Sequence, residues 1–159
     1  MGAHSNLGVL SDAQAISADD TASESTIDMA VANPQFGVGH PIFLCIRTNT
    51  APTDAADTIS IEVQHDVDDG AGAPAGSWAV VFMPLVGANG AEVTATDARL
   101  ATAGAWIWRG PLPYEVNKRH VRLMFRNTTS NGVFTIDAWL EDVPQSDRAQ
   151  VAVSPVGNP

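Results

Sequence analysis

The residues whose types and spacing could do chemistry are few. Asp66-Val67-Asp68-Asp69-Gly70 gathers carboxylates of the kind hard divalent cations favour. It has no third acid at alternate spacing and no late glutamate, so a solvated turn made of ordinary turn residues is expected there. The four histidines, His4, His40, His65 and His120, include no pair spaced to share one helix turn around a metal. Surface or packing roles are expected for them. A hydrolase or isomerase would need the fold to bring His65 and His120 together among scattered acids. The chain has no Gly-x-Ser-x-Gly elbow, phosphate-binding loop or dinucleotide fingerprint. Its one cysteine, Cys45, rules out an internal disulfide and a cysteine zinc cage, and its apolar run Ile42-Phe43-Leu44-Cys45-Ile46 predicts a buried, inert thiol. No catalytic residue, metal or cofactor is expected.

Trp106 and Trp108 are the other conspicuous side chains. Two apart in the strand-like run Ala105–Arg109, they share one face of a regular strand. Two indoles there could fill the core, anchor a protein interface or stack on a sugar, and core is the default.

The elements that must position these groups read as β-strands. Val121, Leu123 and Phe125 alternate with Lys118, His120, Arg122, Met124 and Arg126; Phe134, Ile136, Ala138 and Leu140 alternate with Thr135, Asp137, Trp139 and Glu141. An Asn131-Gly132 step between them suits a hairpin turn. The expected register sets Phe125 against Phe134, Leu123 against Ile136 and Val121 against Ala138. It also places Arg122 opposite Asp137, Lys118 opposite Glu141, His120 opposite Trp139 and Arg126 opposite Val133.

Further strands are expected at Thr26–Val31, Ile42–Thr48 (buried on both sides), Ile59–His65 (half-buried), Trp78–Met83, Glu92–Thr96 and Ala105–Arg109. Gly and Pro interrupt the chain too often for an amphipathic helix of three turns. The whole predicts an all-β protein, an antiparallel jelly roll or two-sheet sandwich of about eight strands. The organisation expected is an N-terminal arm over residues 1–10, the jelly-roll domain over 11–143 and an extended C-terminal tail over 144–159.

At 159 residues the chain suits one domain, and its 45% hydrophobic content suits a real core. The net charge of −10, with Lys118 as the single lysine, opposes binding to nucleic acid. In the one basic cluster, Lys118, Arg119, Arg122 and Arg126, two residues (Lys118 and Arg122) face carboxylates in the expected hairpin and Arg119 falls on its apolar face, so cross-strand pairing is expected over nucleic-acid contact. No apolar run is long enough to span a bilayer, and the first residues lack a secretory signal pattern.

One ordered series of segments resembles a known family. It comprises Leu10-Ser11-Asp12-Ala13-Gln14-Ala15, Ile27-Asp28, the Gly37-x-Gly39-x-Pro41 turn, Ile61-Glu62-Val63-Gln64, Pro111-Leu112-Pro113 and Arg119-x-x-Arg122-Leu123. In this order, over about residues 10–145, it resembles the capsid cement, or decoration, proteins of short-tailed bacteriophages. The resemblance implies a non-enzymatic jelly roll that assembles in the host bacterial cytoplasm and sits on the outer surface of the virion head. Its implied partners are the major capsid protein and further copies of itself, as a dimer or trimer. On that footing Leu7, Asp12 and Gln14 of the N-terminal segment, the C-terminal tail, and Trp106, Trp108 and Arg109 are the expected interface residues. The competing expectation is a carbohydrate-binding jelly roll of a phage fibre, using Trp106 or Trp108 as a stacking platform.

Overall fold

Alternating polarity makes these segments strands, but tertiary packing decides which of them pair. The computed structural model describes residues 8–17, 20–32, 42–127 and 134–141. The strands are β1 (Val9–Ile16), β2 (Thr21–Ala22), β3 (Ile27–Asp28), β4 (Phe43–Thr50), β5 (Thr58–Asp66), β6 (Ala79–Leu85), β7 (Val93–Thr94), β8 (Trp106–Pro111), β9 (His120–Arg126) and β10 (Phe134–Glu141). One helical turn, α1 (Met29–Ala32), follows β3.

The first sheet has the order β1-β10-β4-β8, with every pair antiparallel. In the second sheet β9 lies between β5 and the successive short strands β2 and β3, and β5 carries β6 and β7 on its other side. With β2 and β3 sharing one position, and β6 and β7 another, each sheet has four positions. The step from β5 to β6 stays within a sheet, whereas every other step between positions crosses to the opposite sheet. This is an all-β jelly roll, the architecture expected.

The same topology overturns the expected hairpin. Both sides of β9 are taken, by β5 and by β2 and β3, and both sides of β10 are taken, by β1 and β4. The two strands belong to different sheets. Their apolar faces meet across the sandwich, where inner faces pack about 10 Å apart. Phe125, Leu123 and Val121 do face the same core as Phe134, Ile136 and Ala138, but not as ladder neighbours. The expected ion pairs go with the hairpin. Asp137 holds Arg47 instead of Arg122, and Glu141 accepts hydrogen bonds from Cys45 and Trp139. His120 contacts Asp68 instead of Trp139, and Arg126 pairs with Asp20 and Glu62. Val133 lies outside the described residues.

The core is one cluster drawn from both sheets, with Phe125, Phe134, Ile16, Leu44, Ile46, Ile61, Leu123 and Ile136 fully buried. Each such side chain contributes about 1.5–3 kcal/mol by leaving water. Leu10, read as part of an arm, is also fully buried, because β1 begins at Val9 and lies on the edge of the first sheet. The strand expected at Thr26–Val31 is shorter: Ile27 and Asp28 pair with β9 and the chain then turns into α1. β5 is buried on both faces, since Ser60, Gln64 and Asp66 on its outer side are covered as well.

Candidate interface on the outer face of the first sheet

The outer face of the first sheet is built by alternation. Ala138 and Leu140 of β10 point into the core, so Asp137, Trp139 and Glu141 point out; in β4, Leu44 and Ile46 point in and Cys45 and Arg47 out. Across the strands, Val9, Trp139, Cys45 and Arg109 form one row, and Asp137, Arg47 and Trp106 the next.

A bulge in β8 decides what this face presents. Ile46 pairs with Trp108 and Arg47 with Trp106, leaving Ile107 as the extra residue. Trp106 and Trp108 therefore do not share a face, contrary to the expectation from regular alternation. Trp108 turns inward against Phe82, with ring centroids 5.6 Å apart, and packs on the core over Gly110. Trp106 turns outward and stays 42% exposed. The bulge also brings Arg109 onto the same side as Trp106.

The result is a ladder of rings and guanidiniums. Arg47 lies over the Trp139 ring at 5.5 Å, Trp139 and Trp106 are tilted together at 5.7 Å, and Arg109 lies over Trp106 at 5.1 Å. Ring–ring and cation–ring contacts of this kind hold bulky side chains in fixed positions. Beside them on the same face the polar groups are anchored. Asp137 Oδ2 accepts from Arg47 Nε at 2.9 Å and Nη2 at 2.8 Å, while Oδ1 accepts the Ala13 amide at 2.8 Å. Ala13 has a left-handed φ of 49°, within the irregular part of β1, and this turns its N–H toward Asp137. Glu141 accepts from the Trp139 indole and from the Cys45 thiol at 3.2 Å. Burial first, and the neighbouring Glu141 second, push the Cys45 thiol up to about 12. The thiolate that reactive cysteine chemistry needs is therefore suppressed, in keeping with an inert thiol.

The remaining expected interface residues divide. Gln14 is 7% exposed and works internally: its amide donates to the Ala22 carbonyl, and its oxygen accepts from Ser11 Oγ and the Glu24 amide. It latches β1 to the segment leading to β3. Asp12 has an exposed side chain beside this latch. Leu7 lies outside the described residues. Sequence reading missed Arg47, Trp139, Asp137 and Val9. A lone arginine inside the apolar run Ile42–Thr48 was the available signal, because a charge in a sheet centre requires a partner.

The chemistry-bearing groups of the second sheet do not converge. His65 pairs with Val121 and His120 with Asp66 on neighbouring strands, so the two rings point to opposite faces. Burial, then Lys118, hold His65 below its ordinary value, and His120 Nε2 is 3.1 Å from Asp68. The acidic loop is internally bonded: Asp66 accepts the Gly76 and Ser77 amides, Asp69 those of Ala71 and Ala73, and Asp68 that of Gly70. Among the described residues no group of three metal-ligating side chains is assembled. Two of the four basic residues are paired, though not with β10 and not the two expected: Arg119 binds Asp28 and Asp68, and Arg126 binds Glu62 and Asp20.

No protein-family model matches the chain, and no curated protein sequence matches it.

Proposed function

We propose that this protein is a structural component of a phage virion, a decoration protein that docks on the outside of the head and bridges subunits of the major capsid protein. The observation that carries this reading is the Trp106–Trp139–Arg47–Arg109 face. It gathers the two residue types that dominate protein-interface energetics, with Trp106 42% exposed, Trp139 packed behind it and Arg47 held by the buried Asp137. Val9, 37% exposed, extends its apolar margin. The jelly-roll architecture and the ordered segment resemblance support the same reading. Many such contacts, repeated over a lattice and multiplied by self-association of the protein, would give strong avidity.

The competing sugar-binding reading has less support. Arg109 lies over the Trp106 ring at 5.1 Å, on the surface a sugar would need. To test the proposal, the purified protein is titrated onto undecorated heads of its own phage. Saturable occupancy at fixed lattice positions in electron micrographs is the expected result. Heads that remain bare at high protein concentration would reject it.

A further inference from the structure

The outer face of the second sheet carries a second feature, on the opposite side of the sandwich from the Trp–Arg platform. A continuous relay of side chains crosses it. Asp20 binds Arg126, Arg126 binds Glu62, Gln64 donates to Glu62 at 2.7 Å, and Arg122 Nε donates to Gln64 Oε1 at 2.9 Å. At the end of the relay the Arg122 guanidinium lies over the Trp78 ring at 4.0 Å. The other arginine of this relay, Arg126, is matched by two carboxylates; Arg122 is in no ion pair among the described residues. Its Nε is used, its plane is fixed by the indole, and its two Nη groups form an unclaimed fork. Val80, paired with Gln64 and 48% exposed, supplies an apolar neighbour.

We infer that the Arg122 fork, held flat by Trp78 and Gln64, is a receptor for an aspartate or glutamate side chain flanked by apolar residues on a partner protein. The fork geometry matches a carboxylate bidentately, and pre-ordering by the ring and the amide lowers the entropy lost on contact. Charge complementarity favours an acidic occupant. The charged groups facing the guanidinium are already engaged: Glu62 is held by Arg126 and Gln64, and Asp66 by the Gly76 and Ser77 amides. Burial, then the like charge of Arg126, lower the affinity of Arg122 for its own proton, with Asp66 and Glu62 acting in the opposite sense.

The test uses the full chain, isotopically labelled, and follows the Arg122 Nε–H and Trp78 indole N–H resonances by NMR. The probes are the blocked peptide acetyl-Val-Asp-Val-amide, its neutral Asn counterpart and inorganic phosphate. Saturable shifts with the Asp peptide, absent with the Asn peptide and weakened by added salt, are expected. Arg122→Lys, which keeps the charge and loses the fork, should bind about tenfold more weakly, and Arg122→Gln should not respond. Equal shifts with the Asn peptide, tighter binding of phosphate, no shift at all, or unchanged binding by a folded Arg122→Gln variant would each overturn the inference.

Discussion

The two outer faces of this sandwich solve the same problem in different ways. Each must cover a central pair of strands with large cationic side chains. On the first sheet Arg47 and Arg109 lie on indoles, and the acids of the same face, Asp137 directly across from Arg47 and Glu141 at the end of β10, are buried at 7% and 4% exposure. On the second sheet the cations are met side by side by carboxylates, Arg126 by Glu62 and Asp20, Arg119 by Asp28 and Asp68. The first arrangement leaves an indole, Trp106, 42% exposed between guanidiniums; the second leaves charge largely neutralised in place. The comparison teaches that what flanks the cations, indoles or further carboxylates, decides how much aromatic surface a β face presents. Among the described residues, Arg122 on Trp78 is the one point where the second face imitates the first.

The comparison can be broken most severely from below. Trp139→Ala removes the buried ring that carries both Arg47 and Trp106, and chemical denaturation should show a loss of about 3–5 kcal/mol. Asp137→Ala leaves the Arg47 guanidinium and the Ala13 amide without their acceptor, and the same measurement should report about 2–3 kcal/mol. A result under about 0.5 kcal/mol for Asp137→Ala would mean that Asp137 does not anchor this face.

Acid should probe the second face. The Arg119 guanidinium beside Asp28 holds that carboxyl at about 2, against an ordinary 3.8. Because the folded-state value is depressed, the contribution is complete above the unfolded value and is lost as pH falls from about 4 toward 2. Thermal melting of the wild type should therefore drop across that window, and Asp28→Asn should flatten part of the drop. Asp68, also lowered by His120 and Arg119, adds to the same slope. The smallest stability effect belongs to Trp106→Ala. At 42% exposure its loss should change stability by no more than about 1 kcal/mol, separating a contact residue from a structural one.

Much of the fold could be read from alternation, and much of its wiring could not. The inward sets Val121-Leu123-Phe125 and Phe134-Ile136-Ala138 were recognisable because period-two burial is local. Their pairing was not, since the same faces satisfy either a hairpin or two strands facing each other across a core. β1 escaped notice because Ser11 and Gln14 occupy buried places normally given to apolar residues, made tolerable by their mutual hydrogen bond at 2.6 Å. The platform stayed hidden for a similar reason. One inserted residue, Ile107, reverses the phase of β8, and nothing in Ala105–Arg109 announces a bulge. Cys45 was legible, because an apolar run on both sides leaves a thiol little else to be.

Quantitative binding of wild-type protein and Trp106→Ala to undecorated heads, with matched thermal melting of the free proteins, tests the central claim most directly. If the first sheet's outer face is the contact surface, the variant should melt like the wild type and bind at least about thirtyfold more weakly. Equal occupancy of the heads by a folded Trp106→Ala protein would contradict it.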